Sequence, residues 1–489
     1  MKKSNQTSSI LLLFLYLATE ASAAATPSQI EKGFKAVNDP SSAPFETLLT
    51  DPTTVVSFGF LQVNSTHLDL AVIHLPSGQP LWRANPANPA RLSASVSLSF
   101  NGSLVLSDDK TGVLWSTTTA TGDVVILLNS SNLQIVKFDE LEPVLWQSFD
   151  HPSDTIVQDQ NFTSTAALHS TNQLYSMSLG SNYLALFMEF GPGVKSPMYW
   201  KHTAMEAKNQ IIQGKGPIYA QVDSFGFLGL YQKENAPVDV LPFDSFNREI
   251  PGFRRLTLEA DGNLKSYYWN DTVWVTDYVA ISNLCDLPNP CGAYGVCRTG
   301  QSQCSCLDNR TDGCLPPESG NLCLSRENFW VLRRKGVDLT NKDLLPFQKV
   351  QSLEECEGLC EQNCSCWGAI YSNASGFCYQ MDYPVQTVTG IGDENKIGYF
   401  KVGDQESENE GESGRRKVKA LVAVGVVLAA AGVGFGTYRI WITRRRGRID
   451  GKNGSMVQGL ASGPYKNLKT NSFRSIELSD SFGKNEGMR

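Results

Sequence analysis

The sequence predicts a mainly β, multidomain protein of the secretory pathway, with a cysteine-stapled region after the β domains and one transmembrane helix. Three observations carry this. Short β-prone runs separated by Gly, Asn and Pro recur through the first half, all twelve cysteines fall between Cys285 and Cys378, and an apolar run stands near each end.

The chain of 489 residues has room for about three or four domains. It opens with Lys2 and Lys3, an apolar run over 10–17 and the small residues Ala21, Ser22 and Ala23, which together read as a signal peptide over 1–23. That run is too short to cross a bilayer. The second apolar run, 420–438, is 19 residues without a charge, and at about 1.5 Å per residue it matches the hydrocarbon core. Arg415, Arg416 and Lys417 precede it and Arg444, Arg445 and Arg446 follow, so a transmembrane helix is assigned to 420–442. Gly425, Ala429, Gly432 and Gly436 form a small-residue stripe along it, a pattern suited to close helix packing. A cleaved signal and one span predict a single-pass type I plasma-membrane glycoprotein with its ectodomain extracellular.

From Arg439 onward the balance is +7, which leaves -14 on everything before it. An acidic ectodomain argues against nucleic acid as a partner, and a basic inner tail suits an anionic leaflet. The juxtamembrane segment 403–419 is acidic in its first half, and the tail 443–489, rich in Gly, Asn, Ser and Lys, is expected to be disordered. Cysteines confined to the lumenal part predict disulfides; zinc is excluded because all five histidines lie at or before His202. Lumenal Asn-x-Ser/Thr sequons mark Asn64, Asn101, Asn129, Asn161, Asn270, Asn309, Asn363 and Asn373 as glycosylation candidates.

Over 40–160 the β-prone runs are 54–60, 68–75, 95–99, 103–106, 124–128 and 133–138, too short and too regularly spaced for an α/β sheet. Two segments echo each other, Asn101-Gly-Ser-Leu-Val-Leu and Ser131-Asn-Leu-Gln-Ile-Val, each followed by Leu-Trp at Leu114-Trp115 and Leu145-Trp146. A β-prism, whose sheets meet at a shared core, accommodates such repeats. A third echo, Leu258-Glu-Ala-Asp-Gly-Asn-Leu264, predicts a second β domain over 165–280.

The stretch Leu145-Trp-Gln-Ser-Phe-Asp-His-Pro-Ser-Asp-Thr155 resembles the signature of plant bulb-type lectin domains in S-locus glycoproteins and S-domain (G-type lectin) receptor-like kinases. The resemblance continues in family order through 402. It implies tandem bulb-lectin-like β-prism domains, an EGF-like module over 285–314 and a PAN/apple α+β domain over 323–402. In the EGF-like module, spacing alone leaves fifteen cysteine connectivities open; the resemblance implies Cys285 to Cys297, Cys291 to Cys304 and Cys306 to Cys314. No acidic pair precedes Cys285, so the calcium-binding version is not expected. In the PAN domain, Ser352 and Glu355 form a capping box, and Cys356 and Cys360 share the helix face turned to the sheet. The resemblance pairs Cys356 with Cys378, Cys360 with Cys366 and Cys323 with Cys364.

Mannose-binding members of that lectin class use Gln-x-Asp-x-Asn-x-Val-x-Tyr. In the first repeat the matching positions are Ser99, Asn101, Ser103, Val105 and Ser107, and only the valine is kept. The second, with Ser130, Asn132 and Gln134, is no better. The third keeps Asp261, Asn263 and Tyr267 beside Glu259 and Lys265, which makes those three the candidate sugar-binding residues.

No catalytic constellation accompanies them, so no enzyme activity, cofactor or metal is expected. After Ile442 only 47 residues remain, without kinase motifs, so the phosphotransfer of the receptor kinases is not carried over. The reading is a kinase-less receptor-like protein that binds an extracellular peptide, protein or glycan and acts through an associated receptor kinase or a second copy. The alternative is a cell-surface carbohydrate-binding lectin with an adhesive role.

Overall fold

The structure is a computed structural model that describes residues 28–441 apart from 42, 139–143, 192–195, 205–217, 233–236, 249, 251, 301–302, 310–313, 315–328 and 404–435. The signal peptide, Cys323, the tail and all but the end of the predicted span lie outside the described residues. Of that span only a short helix, 436–441, is described. Among the described residues no helix is long and apolar enough to cross a membrane.

The first β domain consists of three antiparallel sheets around one core. In one, Phe34–Val37, Val96–Phe100, Leu104–Asp108 and Gly112–Ser116 pair in turn. In another, Phe45–Thr50, Val56–Asn64, His67–His74 and Gln79–Arg83 do so. The third joins Gln29–Glu31 to Val124–Leu127, Leu133–Val136 and Val144–Gln147. Alternation aims each sheet: in Leu104–Asp108, Leu104 and Leu106 are buried while Val105 and Ser107 face outward. Three one-sided sheets can bury those faces only by closing on one another, with Phe58, Phe60, Phe100 and Ile135 at the centre. The domain begins earlier than the expected residue 40, because Gln29–Glu31 and Phe34–Val37 each complete one of its sheets.

A second three-sheet body follows. Its first strand, Thr155–Val157, pairs with Arg254–Leu258, so the boundary falls within the turn after Asp150 and before the expected residue 160. Arg254 is fully buried here. Its Nη1 donates to Asp277 at 2.6 Å and to Ser245 at 2.9 Å, and its Nε donates to the Ser224 carbonyl at 3.1 Å. Removing one member would strand an ion in the interior.

The cysteine-rich region departs from the two-module expectation. The hairpin Gly295–Arg298/Gln303–Cys306 pairs in parallel register with Val388–Gly390, which also pairs with Val337–Asp338, so a single sheet spans both expected modules. One core holds Tyr294, Val296 and Leu307 together with Trp367, Val388 and Phe400. Six cysteines in so short a segment leave the hairpin little core of its own, and it borrows one.

On the other face, the helix Leu353–Gln362 packs against Cys366–Ser372. Ser352 Oγ accepts from Glu355 N, while the Glu355 carboxylate accepts from Gln351 N at 2.8 Å. Lys401, 1% exposed, donates Nζ to the Cys360 carbonyl at 2.9 Å and so satisfies the helix carboxyl end. The disulfides Cys285–Cys297, Cys291–Cys304, Cys306–Cys314, Cys356–Cys378 and Cys360–Cys366 staple this region. Cys364 is disulfide-bonded as well.

Candidate ligand-binding site

The positions of the three sugar-site echoes differ in what they offer. Asn101 is exposed at its turn, and Ser103 Oγ is bonded to the Thr119 carbonyl. Asn132 is buried, donating Nδ2 to Gln147 at 2.8 Å, and Gln134 donates to the same Gln147 oxygen at 3.2 Å. In the third echo Asn263 is 3% exposed. Its Nδ2 donates to the Ile281 carbonyl at 2.7 Å and its Oδ1 accepts from Ile281 N at 3.1 Å. Asp261 caps its own turn by accepting from Asn263 N, and Tyr267 donates to Glu259 at 2.5 Å with Arg255 over its ring. Asp261, Asn263 and Tyr267 are thus not brought together to face a ligand, because the amide is spent on the backbone of Ile281.

A different feature emerges from the strand registers. In each sheet of the first domain the edge strand carries a bulge with one unpaired residue: Leu81 between Pro80 and Trp82, Leu114 between Val113 and Trp115, and Leu145 between Val144 and Trp146. A bulge re-aims the residues beside it. Each following Trp therefore lies opposite an apolar residue of the neighbouring strand, Val72, Leu106 and Ile135 respectively. The three indoles meet edge to face at centroid distances of 6.1, 5.8 and 6.1 Å. The second domain repeats the bulges at Tyr199, Val238 and Asp277, where the following residues are Trp200, Asp239 and Tyr278, and no such trio forms there.

The Trp trio floors a cleft of about 740 Å³ whose other wall comes from the second domain, at Ala166, His169 and Gln173. His151 stacks on Trp146 at 5.5 Å, and its carbonyl accepts from Trp82 Nε1 at 2.7 Å. Arg83 lines the cleft and pairs with the fully buried Asp69, whose Oδ2 lies 3.1 Å from Arg83 Nη2 and 3.2 Å from its Nε. Burial pushes the Asp69 carboxyl up to about 6, with Arg83 opposing. Two rim residues, Thr118 and Gln173, have φ of 55° and 60°. Strained backbone of this kind persists where the surroundings enforce it, and it concentrates at ligand clamps.

The two walls are held by a second contact. His74, 1% exposed, meets Trp269 and Trp274 edgewise at 4.8 and 5.1 Å and stacks with Phe253 at 6.3 Å. Trp274 Nε1 donates to Ser77 Oγ at 2.9 Å, which lies 2.9 Å from His74 Nδ1. Burial, aided by the nearby Arg255 charge, lowers the His74 pKa.

Sequence reasoning put Trp115 and Trp146 at the shared core, where both pack, and gave no ligand role to Trp82, His151, His169 or Gln173. The available signal was the third Leu-Trp dipeptide, Leu81-Trp82. Among the described residues no group of His, Cys, Asp or Glu is placed to hold a metal.

Comparison with known proteins gives three family matches: D-mannose binding lectin over 80–178, S-locus glycoprotein domain over 230–310 and PAN domain over 331–401. The lectin match runs across the cleft and contains all three indoles. A PAN domain-containing protein of Arabidopsis thaliana is 42% identical over 479 residues, covering 96% of this chain and 97% of its own. A G-type lectin S-receptor-like serine/threonine-protein kinase of the same plant is 27% identical over 72% of this chain and 44% of its own length, so this chain spans less than half of that kinase. Among solved structures, the two-domain fetuin-binding agglutinin of Scilla campanulata aligns over 49% of this chain at 17% identity, with a TM-score of 0.20.

Proposed function

The chain belongs to the plant S-locus glycoprotein and G-type lectin receptor-like family, and from that premise we propose that it is a receptor-like glycoprotein that captures an extracellular ligand in the cleft between its two β domains. The ligand is a small hydroxyl-rich group such as a sugar residue. The observation that carries this reading is the indole trio on the floor of that cleft. Aromatic faces take the apolar side of such a ring, while Arg83, Asp150, His169 and Gln173 offer donors and acceptors for its hydroxyls. On this reading the ligand signal passes to an associated chain, an idea suggested by the receptor kinases among the relatives. The apolar run 420–438 with its basic flanks supports a single membrane span, and protease protection of the tail in sealed vesicles tests it.

The test of the cleft is a glycan array probed with the intact protein, followed by tryptophan-fluorescence titration of any hit. Loss of binding in Trp115→Ala with retention in Asp261→Asn supports the cleft. The reverse pattern moves recognition to the outer face of the second domain and favours the adhesive-lectin reading.

A further inference from the structure

Joining the cysteine-stapled hairpin to the PAN sheet places three chain segments side by side, 296–299, 334–337 and 390–392, and they enclose a second cleft of about 420 Å³. The charged side chains on its wall are Arg298, Arg334 and Lys335, and no carboxylate lines it. Three cations converging in an ectodomain that is otherwise strongly acidic is a local inversion of charge.

Arg334 is fixed in place: its Nη1 donates to the carbonyls of Cys306 at 2.9 Å and Leu307 at 2.7 Å. Those carbonyls orient the guanidinium without neutralising it. Its pKa is lowered, first by burial and then by repulsion from Arg298, with only Asp308, outside the wall, acting against them. Arg298 and Lys335 make no ion pair among the described residues and are exposed at the mouth. The third segment of the wall is Gly390, Ile391 and Gly392, which brings no charged side chain. A Cβ at Gly390 would stand 3.2 Å from Val296 Cγ1, a close contact, and Gly392 adds no side chain.

We propose that this cleft binds a compact oxyanion, a sulfate or carboxylate borne by an extracellular ligand. Guanidinium forks present paired donors in the geometry such groups accept, and an anion between Arg298 and Arg334 relieves their mutual repulsion. The volume is ample for an anionic group and part of the ligand that bears it, and the acidic surroundings disfavour a polyanion. The site exists only because the hairpin and the PAN sheet are one body, and it is independent of the tryptophan-floored cleft.

The test uses the full chain in detergent and radiolabelled inorganic sulfate in equilibrium dialysis at constant ionic strength. Saturable binding is expected, weakened about tenfold or more in Arg298→Gln and in Lys335→Gln, both at exposed positions where substitution changes stability little. Arg333→Gln, whose side chain is paired with Glu357 instead, should bind as wild type does. Competition by methyl sulfate alone identifies a sulfate-bearing ligand, and competition by acetate or glucuronate alone a carboxylate-bearing one. Non-saturable uptake, equal uptake by the wild type and the two cleft variants, or competition by none of these anions overturns the proposal.

Discussion

The imidazole of His151 lies parallel to the indole of Trp146, 5.5 Å between centroids and 12° between planes, so the turn that leaves the first β domain is stacked on that domain's own aromatic floor. Since Trp82 also holds the His151 carbonyl, the domain junction and the cleft floor are one structure.

Trp146 is 9% exposed and touches Trp82, Trp115 and His151. Trp146→Ala should therefore cost ~3 to 5 kcal/mol, and Trp115→Ala, only half-buried, clearly less. Denaturant unfolding of the secreted variants measures both; a Trp146→Ala protein as stable as wild type would contradict the arrangement.

Cys356, Cys360, Cys366 and Cys378 are all at most 1% exposed beneath the helix Leu353–Gln362. Alkylation without reductant should label no cysteine of the intact protein. Cys360→Ser opens a staple of this small region, at a typical cost of ~2 to 5 kcal/mol, and should cause retention in the secretory pathway.

All eight sequon asparagines from Asn64 to Asn373 are exposed. Enzymatic removal of N-glycans in heavy-oxygen water should convert these positions to labelled Asp, as read by peptide mass spectrometry, with Asn453, in the Asn-Gly-Ser sequon of the tail, unlabelled. Modification at Asn453 would place the tail on the lumenal side.

His74 gives the domain contact a pH dependence. Its folded pKa lies below the ordinary 6.5, so the unfolded chain binds the extra proton, and stability should fall as pH drops below 6.5 toward the folded value. Asp69 acts oppositely. Its carboxyl, raised to about 6 from 3.8, takes up a proton in the folded state first, so it adds stability as pH falls through that window. Comparing wild type with His74→Phe across pH 5 to 7.5 isolates the histidine (the window follows from these shifts): the loss of stability on acidification should be smaller in the variant. Parallel curves would show that His74 does not titrate with folding.

What the sequence determined by itself is local. Period-two alternation and Gly/Asn/Pro punctuation mark strands such as Leu104–Asp108, because each strand must bury one face and each turn needs its own residues. The helix cap at Ser352 is legible for the same reason, since its partners lie within four residues. Tertiary structure alone decided which strands pair. Gln29–Glu31 joins Val124–Leu127, and the hairpin strand Gly295–Arg298 runs parallel to Val388–Gly390, partners separated by about ninety residues that no local pattern specifies. Those pairings turn Asn263 inward against Ile281, gather three indoles from bulges of three sheets and set Arg298 beside Arg334. A motif names residue types at a spacing; whether they face a ligand or the protein's own backbone depends on what packs against them, and that is settled only when distant strands find their register.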